Sequence, residues 1–264
     1  MIRLSVVRYL NTTPLVYAFQ KDRIAHDFDL KYDIPSECAR KLKASEADVG
    51  IIPSIEYARS DVPYRIVPDV SISSKGPVGS IFLFFRNPIS AIRTVAVDTS
   101  SRTSVALTHV ILKDRYNLDI HPMPHAPVLE TMLEVADAAL VIGDPALEYT
   151  DRPEERLDMG REWTAMTGLP FVYAFWAGHT GALPPEAVAK LIEAKEAGLT
   201  SLGEIATEYA ADHLHGPAFY KSYLGDHLQF PFGPEEQAGV LEFYHRAHHI
   251  GLIEKKPELR FYDI

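Results

Sequence analysis

The fold of this chain is decided by two similar stretches, Ala47-Asp48-Val49-Gly50-Ile51-Ile52-Pro53-Ser54-Ile55-Glu56-Tyr57 and Ala136-Asp137-Ala138-Ala139-Leu140-Val141-Ile142-Gly143-Asp144-Pro145-Ala146-Leu147-Glu148-Tyr149. Each stretch has an Ala-Asp turn, a short apolar strand, a turn containing proline, and a short helix that ends in Glu-Tyr. Continuous apolar strands that alternate with helices are typical of parallel strands covered on both faces. Ligands of open α/β sheets bind beyond the carboxyl ends of the strands. The repeat therefore predicts two similar α/β lobes with a cleft between them.

Alternating elements extend outward from both stretches. The first unit is predicted to contain strands 2–7, 29–34 and 49–52 and helices 14–19 and 37–43. The second unit is predicted to contain strands 94–97, 120–123 and 139–142 and helices 102–116 and 128–136. The remainder is predicted to be helical over 185–197, 202–214, 218–224 and 235–249, and we expect it to pack on the first lobe.

Two further apolar strands, 80–85 and 171–176, are predicted to be the connections between the lobes. Two connections mean that one lobe is inserted in the other, as in the type II periplasmic-binding-protein architecture. We therefore expect an α/β, two-lobed fold of that type with a central cleft and two interlobe crossings. Residues 1–84 and 176–264 are assigned to the first lobe, which includes the C-terminal helices, and residues 85–175 to the inserted second lobe.

Composition restricts the classes of function. The chain has 264 residues, 47% of them hydrophobic, and a formal net charge of −10. This length can bury one large core or two smaller ones. A negative charge with interspersed signs argues against a nucleic-acid partner or an anionic membrane surface. The single cysteine, Cys38, excludes an intrachain disulfide and is interpreted as a packing residue.

The amino-terminal strand indicates the cellular location. It is interrupted by Arg3 and Arg8 and contains neither the long apolar region nor the small-residue cleavage site of an export signal. Elsewhere no run approaches the roughly eighteen apolar residues of a membrane span. We therefore expect a cytoplasmic protein without a membrane partner.

A cluster of polar residues marks one candidate binding site. Asp98-Thr99-Ser100-Ser101-Arg102-Thr103-Ser104 follows a predicted strand and begins a helix. Free N–H groups at a helix start, hydroxyls and a guanidinium together suit a carboxylate or phosphate. A cap needs only one Ser or Asp, so these residues exceed what capping requires. Ser101, Arg102, Thr103 and Ser104 are therefore predicted to bind an anion, whereas Asp98 is expected to cap its own turn.

Four more residues lie at predicted strand ends or between the lobes. Asn11 follows the first strand, Ser80 lies at the proposed hinge, and Gly143 and Asp144 follow the last strand of the second unit. An amide or hydroxyl at such a position can donate to a ligand oxygen. Local alternatives stay open: Asn11 could form an Asx turn, and Asp144 could either line the cleft or cap the short helix after it.

The sequence gives little sign of a metal or cofactor. His245, His248 and His249 have helical spacing, but no cluster of carboxylates or cysteines accompanies them, so they are interpreted as a solvated helix face. The chain contains no P-loop, Gly-x-Gly-x-x-Gly, Cys-x-x-Cys or Gly-x-Ser-x-Gly motif. We therefore predict no metal and no cofactor.

Several segments in the expected order resemble the chorismate dehydratases of the futalosine route to menaquinone. They are Arg8-Tyr9-Leu10-Asn11-x-x-Pro14-Leu15, Asp48-Val49-Gly50-Ile51-Ile52-Pro53, Gly79-Ser80-Ile81, Asp98-x-x-Ser101-Arg102-Thr103-Ser104, Ile142-Gly143-Asp144-x-Ala146-Leu147, and Trp163-x-x-x-Thr167-Gly168-Leu169-Pro170-Phe171-Val172-x-Ala174-x-Trp176. The resemblance spans most of the first 176 residues. It implies a lyase with the two-lobed fold that converts chorismate, a small dicarboxylate, to 3-[(1-carboxyvinyl)oxy]benzoate and water without a cofactor. It also implies that Asn11 and Ser80 are catalytic.

Two alternatives stay open on sequence alone. The first is the related 1,4-dihydroxy-6-naphthoate synthase, which would call for a Cys-Pro-Asn-Asp type segment where this chain has Arg8-Tyr9-Leu10-Asn11. The second is a non-catalytic solute-binding protein for a small carboxylate, which should be exported.

Overall fold

The computed structural model describes residues 1–98 and 100–264 and contains two five-stranded sheets. The strands are β1 Ile2–Val7, β2 Phe28–Asp33, β3 Val49–Pro53, β4 Arg65–Ser74, β5 Ile81–Phe85, β6 Thr94–Val97, β7 His121–Pro124, β8 Ala138–Ile142, β9 Glu155–Asp158 and β10 Phe171–Gly178. The helices are α1 Thr13–Gln20, α2 Pro35–Lys43, α3 Ser54–Arg59, α4 Arg102–Tyr116, α5 Leu129–Val135, α6 Asp144–Glu148, α7 Met159–Thr167, α8 Pro185–Thr200, α9 Leu202–Ala210, α10 Pro217–Ser222 and α11 Pro234–His249. Short 3₁₀ turns cover Leu10–Thr12 and Ile89–Ala91, and a π turn covers Tyr223–His227.

The two sheets share one topology. The first has the strand order β2-β1-β3-β10-β4, and the second has the order β7-β6-β8-β5-β9. In each sheet the first three strands are parallel, and an antiparallel strand, β10 or β5, pairs with the third and fifth. The prediction of two similar α/β lobes is confirmed. We call the first sheet with the helices packed on it the first lobe, and the second sheet with its helices the second lobe.

The repeated Ala-Asp turn has the same structural role in both lobes. The Asp48 carboxylate accepts the backbone N–H of Arg3 at 2.8 Å, at the start of β1. Asp137 accepts the N–H groups of Arg93 at 2.9 Å and Thr94 at 2.8 Å, at the start of β6. The hydrogen bond from the Arg3 guanidinium is the main cause that lowers the pKa of Asp48, and the N–H groups of Thr94 and Arg93 lower that of Asp137. Each aspartate therefore ties the turn before the third strand to the beginning of the neighbouring parallel strand.

The connections between the lobes differ from the predicted ones. Strand β5 pairs along its whole length with β8 and β9, so residues 81–84 lie in the second sheet rather than in the first lobe. Strand β10 pairs with β3 and β4, so residues 171–175 lie in the first sheet. The chain therefore crosses between the lobes in the segments 75–80 and 168–170. An apolar run shows that a strand is buried, but it carries no information on which sheet the strand joins.

The C-terminal helices contact both lobes. Helix α8 packs on α1 and β4, and α9 packs on α1, as expected for the first lobe. Helix α11 packs on β10 and also on α4 of the second lobe, where Arg246 pairs with Asp114 at 2.8 Å. The helix predicted over 218–224 ends at Ser222, and the chain continues in the π turn. The C-terminal helices therefore pack on the first lobe, and α11 in addition contacts the second lobe.

The described residues also bear on membranes and metals. No helix among them is long and apolar enough to cross a membrane. Within the same residues, no three or more His, Cys, Asp or Glu side chains converge in the way that metal ligands would.

Candidate active site

A cavity lies between the two lobes. Its walls come from the carboxyl ends of parallel strands, from the helix starts that follow them, and from the hinge segment. The lining residues are Val7, Tyr9, Asn11, Thr12, Pro35, Ile51, Pro53, Ile72, Val78, Ser80, Ile81, Ser101, Ser104, Ile142, Gly143, Tyr173, Ala174 and Leu228.

Three helices begin at this cavity: α1 after Thr12, α2 at Pro35 and α4 after Ser101. The residues that precede them make no side-chain capping hydrogen bond to the helix backbone in the part of the chain that the structure describes. The first N–H groups of a helix have no partner within it and carry a partial positive charge. At α1 the Thr13 N–H already donates to Leu10 and a proline follows, and α2 begins at Pro35, which has no N–H. Of these three helix starts, that of α4 is therefore best suited to a negatively charged group.

The two residues expected to be catalytic share one wall of this cavity. Ser80 is 1% exposed and accepts a hydrogen bond of 2.9 Å from the Tyr223 hydroxyl. Asn11 also lines the cavity. The oxygen of the Asn11 amide accepts from Thr12 Oγ1 at 3.2 Å. The structure thus places Asn11 and Ser80 at one cavity, and it places behind Ser80 a tyrosine that the sequence interpretation did not identify.

Only part of the predicted anion-binding cluster reaches the cavity. Ser101 and Ser104 both line it, and Ser101 Oγ donates to Ser104 Oγ at 2.8 Å. Ser100 instead donates to Asp98 from its hydroxyl, at 2.7 Å, and from its backbone N–H, at 2.9 Å. Asp98 therefore caps its own turn, as expected. Thr99, which the prediction counted among the hydroxyls, lies outside the described residues.

Arg102 and Thr103 were predicted to bind substrate, but their side chains contact the first lobe instead. The Arg102 guanidinium pairs with Glu56 on α3 at 2.6 Å. Thr103 Oγ1 accepts the backbone N–H of Ile55 at 3.2 Å, in the first turn of α3. On a helix, positions three apart share a face, whereas the two positions between them point elsewhere. Ser101 and Ser104 therefore face the cavity, while Arg102 and Thr103 join α4 to α3.

Gly143 and Asp144 have different roles. Gly143 lines the cavity with φ +65°, and a Cβ at this position would lie 3.0 Å from the Tyr9 ring. Asp144 does not line it: its carboxylate accepts the Leu10 N–H at 3.0 Å and a hydrogen bond from Tyr209. Burial raises the pKa of Asp144. Asp144 therefore does not line the cavity. It begins α6 and also joins the second lobe to the turn after β1.

Three tyrosines at the site were missed in the sequence. Tyr9 lines the cavity and shares a hydrogen bond of 3.3 Å with Ser100 across the lobes. Tyr173 lines it from β10, and its hydroxyl lies 2.9 Å from Ser74 Oγ. Burial raises the pKa of Tyr9, Tyr173 and Tyr223, so all three stay neutral phenols. Tyr9 had a signal, since it is two residues from Asn11 in the same turn, whereas nothing in the sequence distinguished Tyr223.

The described lining residues include no carboxylate, imidazole, ammonium or guanidinium group. The polar groups of the cavity are instead hydroxyls, one amide and the starts of helices. Such a site can hold and stabilise negative charge through neutral donors arranged in advance. The described lining residues include no carboxylate or imidazole that could act as a general base.

Solved structures with related folds agree with this architecture. Protein AF1704 from Archaeoglobus fulgidus is 20% identical, with a TM-score of 0.78, and the match covers 96% of this chain and 98% of that one. The periplasmic aliphatic sulphonate-binding protein SsuA from Escherichia coli is 16% identical, with a TM-score of 0.67, over 97% and 94% of the two chains. The predicted periplasmic-binding-protein type of fold is therefore confirmed.

Sequence comparisons identify the family. A protein named chorismate dehydratase from Thermus thermophilus is 28% identical over 249 residues, which are 86% of this chain and 90% of that protein. A second protein of that name, from Campylobacter jejuni, is 29% identical over 173 residues, 64% of this chain and 63% of the relative. The model of the menaquinone biosynthesis family matches residues 2–249, so this chain belongs to that family.

Proposed function

We propose that this chain is a chorismate dehydratase, a carbon–oxygen hydro-lyase that converts chorismate to 3-[(1-carboxyvinyl)oxy]benzoate and water. The observation that carries the proposal is the convergence of Asn11, Ser80 and the start of α4 on one interlobe cavity. The relatives named chorismate dehydratase support the choice of substrate. On this proposal the reaction is the first step of the futalosine route to menaquinone, takes place in the cytoplasm, and needs no cofactor.

The cavity has complementary groups for both ends of the substrate. Chorismate carries one carboxylate on its ring and another on its enolpyruvyl arm. We assign the ring carboxylate to the start of α4, beside Ser101 and Ser104, and the arm carboxylate to Asn11 and Ser80. Helix N-termini are common sites for carboxylates because their N–H groups and dipole both favour negative charge.

The reaction requires charge stabilisation more than strong acid–base groups. Removal of the hydrogen at C3 gives an extended enolate whose charge spreads to the ring carboxylate. Expulsion of the hydroxyl at C4 then makes the ring aromatic, so the C3 proton and the C4 hydroxyl together form the water that is released. Donors that contact the ring carboxylate more strongly as its charge grows lower the barrier.

We propose that the arm carboxylate of the substrate takes the C3 proton. The neutral character of the described lining residues supports this assignment, because no carboxylate or histidine side chain is among them. A well-oriented intramolecular base can have an effective molarity of about 10⁵–10⁸ M, which offsets its weak basicity. Asp144, held by Leu10 and Tyr209, has a supporting role in fixing the cavity wall.

An analogue tests the identity of the base. Chorismate with the arm carboxylate replaced by an amide should bind but fail to react. Normal turnover of this analogue, together with loss of activity in Asp144→Asn, would show that the base belongs to the protein.

A product assay tests the reaction itself. Dialysed, chelator-treated protein is incubated with chorismate, and the products are followed by aromatic absorbance and by mass. We expect full activity and a product lighter than chorismate by one water. Activity restored only by an added metal or nucleotide contradicts the cofactor-free mechanism. Binding without turnover indicates a solute-binding protein, and a 1,4-dihydroxy-6-naphthoate product from that enzyme's substrate indicates the related synthase.

A further inference from the structure

Tyr223 occupies an unusual place between the C-terminal helices and the cavity. It begins the π turn Tyr223–His227 and is 3% exposed. Turns with π geometry are rare in proteins, and many of those that occur lie at functional sites. Here the turn brings a residue from the last fifth of the chain to Ser80 at the hinge.

Tyr223 is the donor and Ser80 the acceptor in the hydrogen bond that joins them. Its hydroxyl donates to Ser80 Oγ at 2.9 Å. A serine hydroxyl has one hydrogen, so once Ser80 accepts from Tyr223, its own hydrogen is available to a different acceptor. The Ser80 carbonyl already accepts the N–H of Gly143 at 2.8 Å. Because Ser80 lines the cavity, a ligand oxygen there can accept its hydrogen.

The Tyr223 hydroxyl keeps its role as the donor in this hydrogen bond. Burial raises the pKa of Tyr223, so the phenol keeps the hydrogen that it donates.

We propose that Tyr223 is a positioning residue that donates to Ser80 and thereby directs the Ser80 hydrogen towards the substrate. The inference rests on the proposed function, since it explains how Ser80 is oriented to hold the arm carboxylate for that reaction. A purely packing role would need only the aromatic ring, and phenylalanine would then serve equally well.

The kinetic test removes this single hydroxyl. In Tyr223→Phe we expect kcat for chorismate to fall about tenfold, with a smaller change in KM, because the Ser80 hydroxyl is no longer held in one orientation. Tyr220→Phe is the matched control: Tyr220 is also buried, lies on α10, and its hydroxyl accepts the N–H of His215 at 3.2 Å away from the cavity. This control should keep the wild-type kcat. Wild-type kcat in Tyr223→Phe overturns the proposal.

A double-mutant cycle separates positioning from an independent effect. If Tyr223 acts through Ser80, the loss in the double variant Ser80→Ala, Tyr223→Phe is clearly smaller than the product of the two single losses. Losses that multiply in full contradict the proposal, because the two residues would then act separately.

A measurement without substrate keeps the inference distinct from the proposed function. Urea titrations give the free energy of unfolding of Ser80→Ala, Tyr223→Phe and the double variant. If the two hydroxyls share a hydrogen bond, the loss of stability in the double variant is clearly smaller than the sum of the two single losses, and additive losses overturn the proposal. A wild-type protein that does not dehydrate chorismate overturns the proposed function, whereas this cycle still decides whether the hydrogen bond exists.

Discussion

Ser80→Ala should affect both catalysis and folding, by two separable mechanisms. If Ser80 holds the arm carboxylate in reach of C3, its loss should misplace this base and lower kcat roughly 10²-fold, about 2.7 kcal/mol. Its loss also leaves the Tyr223 hydroxyl, in a residue 3% exposed, without the acceptor that it now has at 2.9 Å. An unsatisfied buried hydroxyl costs about 1–3 kcal/mol. Ser80 lies at a cleft but is only 1% exposed, so we expect the variant to lose stability as well.

The assay measures the two effects separately. Initial rates with chorismate are compared at a temperature where urea titrations show both proteins to be fully folded. Ser73→Ala is the matched control: Ser73 is fully buried on β4, and its hydroxyl donates to the Gln229 carbonyl at 3.1 Å outside the cavity lining. This control should lose stability but keep its rate. Folded Ser80→Ala with a rate within about threefold of wild type would refute the catalytic role.

Three further predictions follow from contacts around the site. Thr103→Val should lower the free energy of unfolding by about 1–3 kcal/mol, because it removes the acceptor of the buried Ile55 N–H, and it should leave KM for chorismate nearly unchanged. Urea titration and steady-state kinetics check this, and a large rise in KM without a loss of stability would contradict it. Gly143→Ala should destabilise the fold by about 1–3 kcal/mol and raise KM for chorismate, since φ is +65° and the new Cβ would lie 3.0 Å from Tyr9. Unchanged stability and KM in the same assays would contradict this prediction. Burial lowers the pKa of His109, so below pH about 6.5 the unfolded chain binds more protons than the folded chain, and stability falls as pH falls. Melting temperatures at two pH values should depend less on pH in His109→Gln than in the wild type, and an unchanged dependence would refute the assignment.

The repeat in the sequence predicted the lobes because it encodes a specific local structure. Asp48 and Asp137 have side chains short enough to accept the N–H groups at the start of the neighbouring strand, which fixes the same turn in both lobes. Strand β4 was missed because its buried face is rich in serine. Ser71 and Ser73 donate to carbonyls of residues 231 and 229, and these partners are too distant along the chain to be evident from the sequence.

For the site, residue types indicated the chemistry but did not fix the direction of each side chain. The cluster that begins α4 reaches the cavity through Ser101 and Ser104, while its Arg102 and Thr103 turn to the opposite lobe. Helical geometry accounts for this split once the start of α4 is known, but not which face is turned to the cleft. Tyr223 had no signal, because its role depends on a π turn and on a partner more than a hundred residues away.

The residues that turned out not to line the cavity explain how a site of neutral donors can bind a dianion. Thr103 caps α3 of the opposite lobe, Asp144 caps the turn after β1, and Arg102 pairs with Glu56, so all three hold the lobes together around the cavity. Hydroxyls and helix starts are weak donors in water, but their interactions with charge strengthen where the lobes exclude solvent. The exposed pair of Arg102 contributes little by itself, whereas the two caps satisfy buried backbone groups at the contact between the lobes. Exclusion of solvent between the lobes therefore makes the donors effective, and the donors need no formal charge of their own.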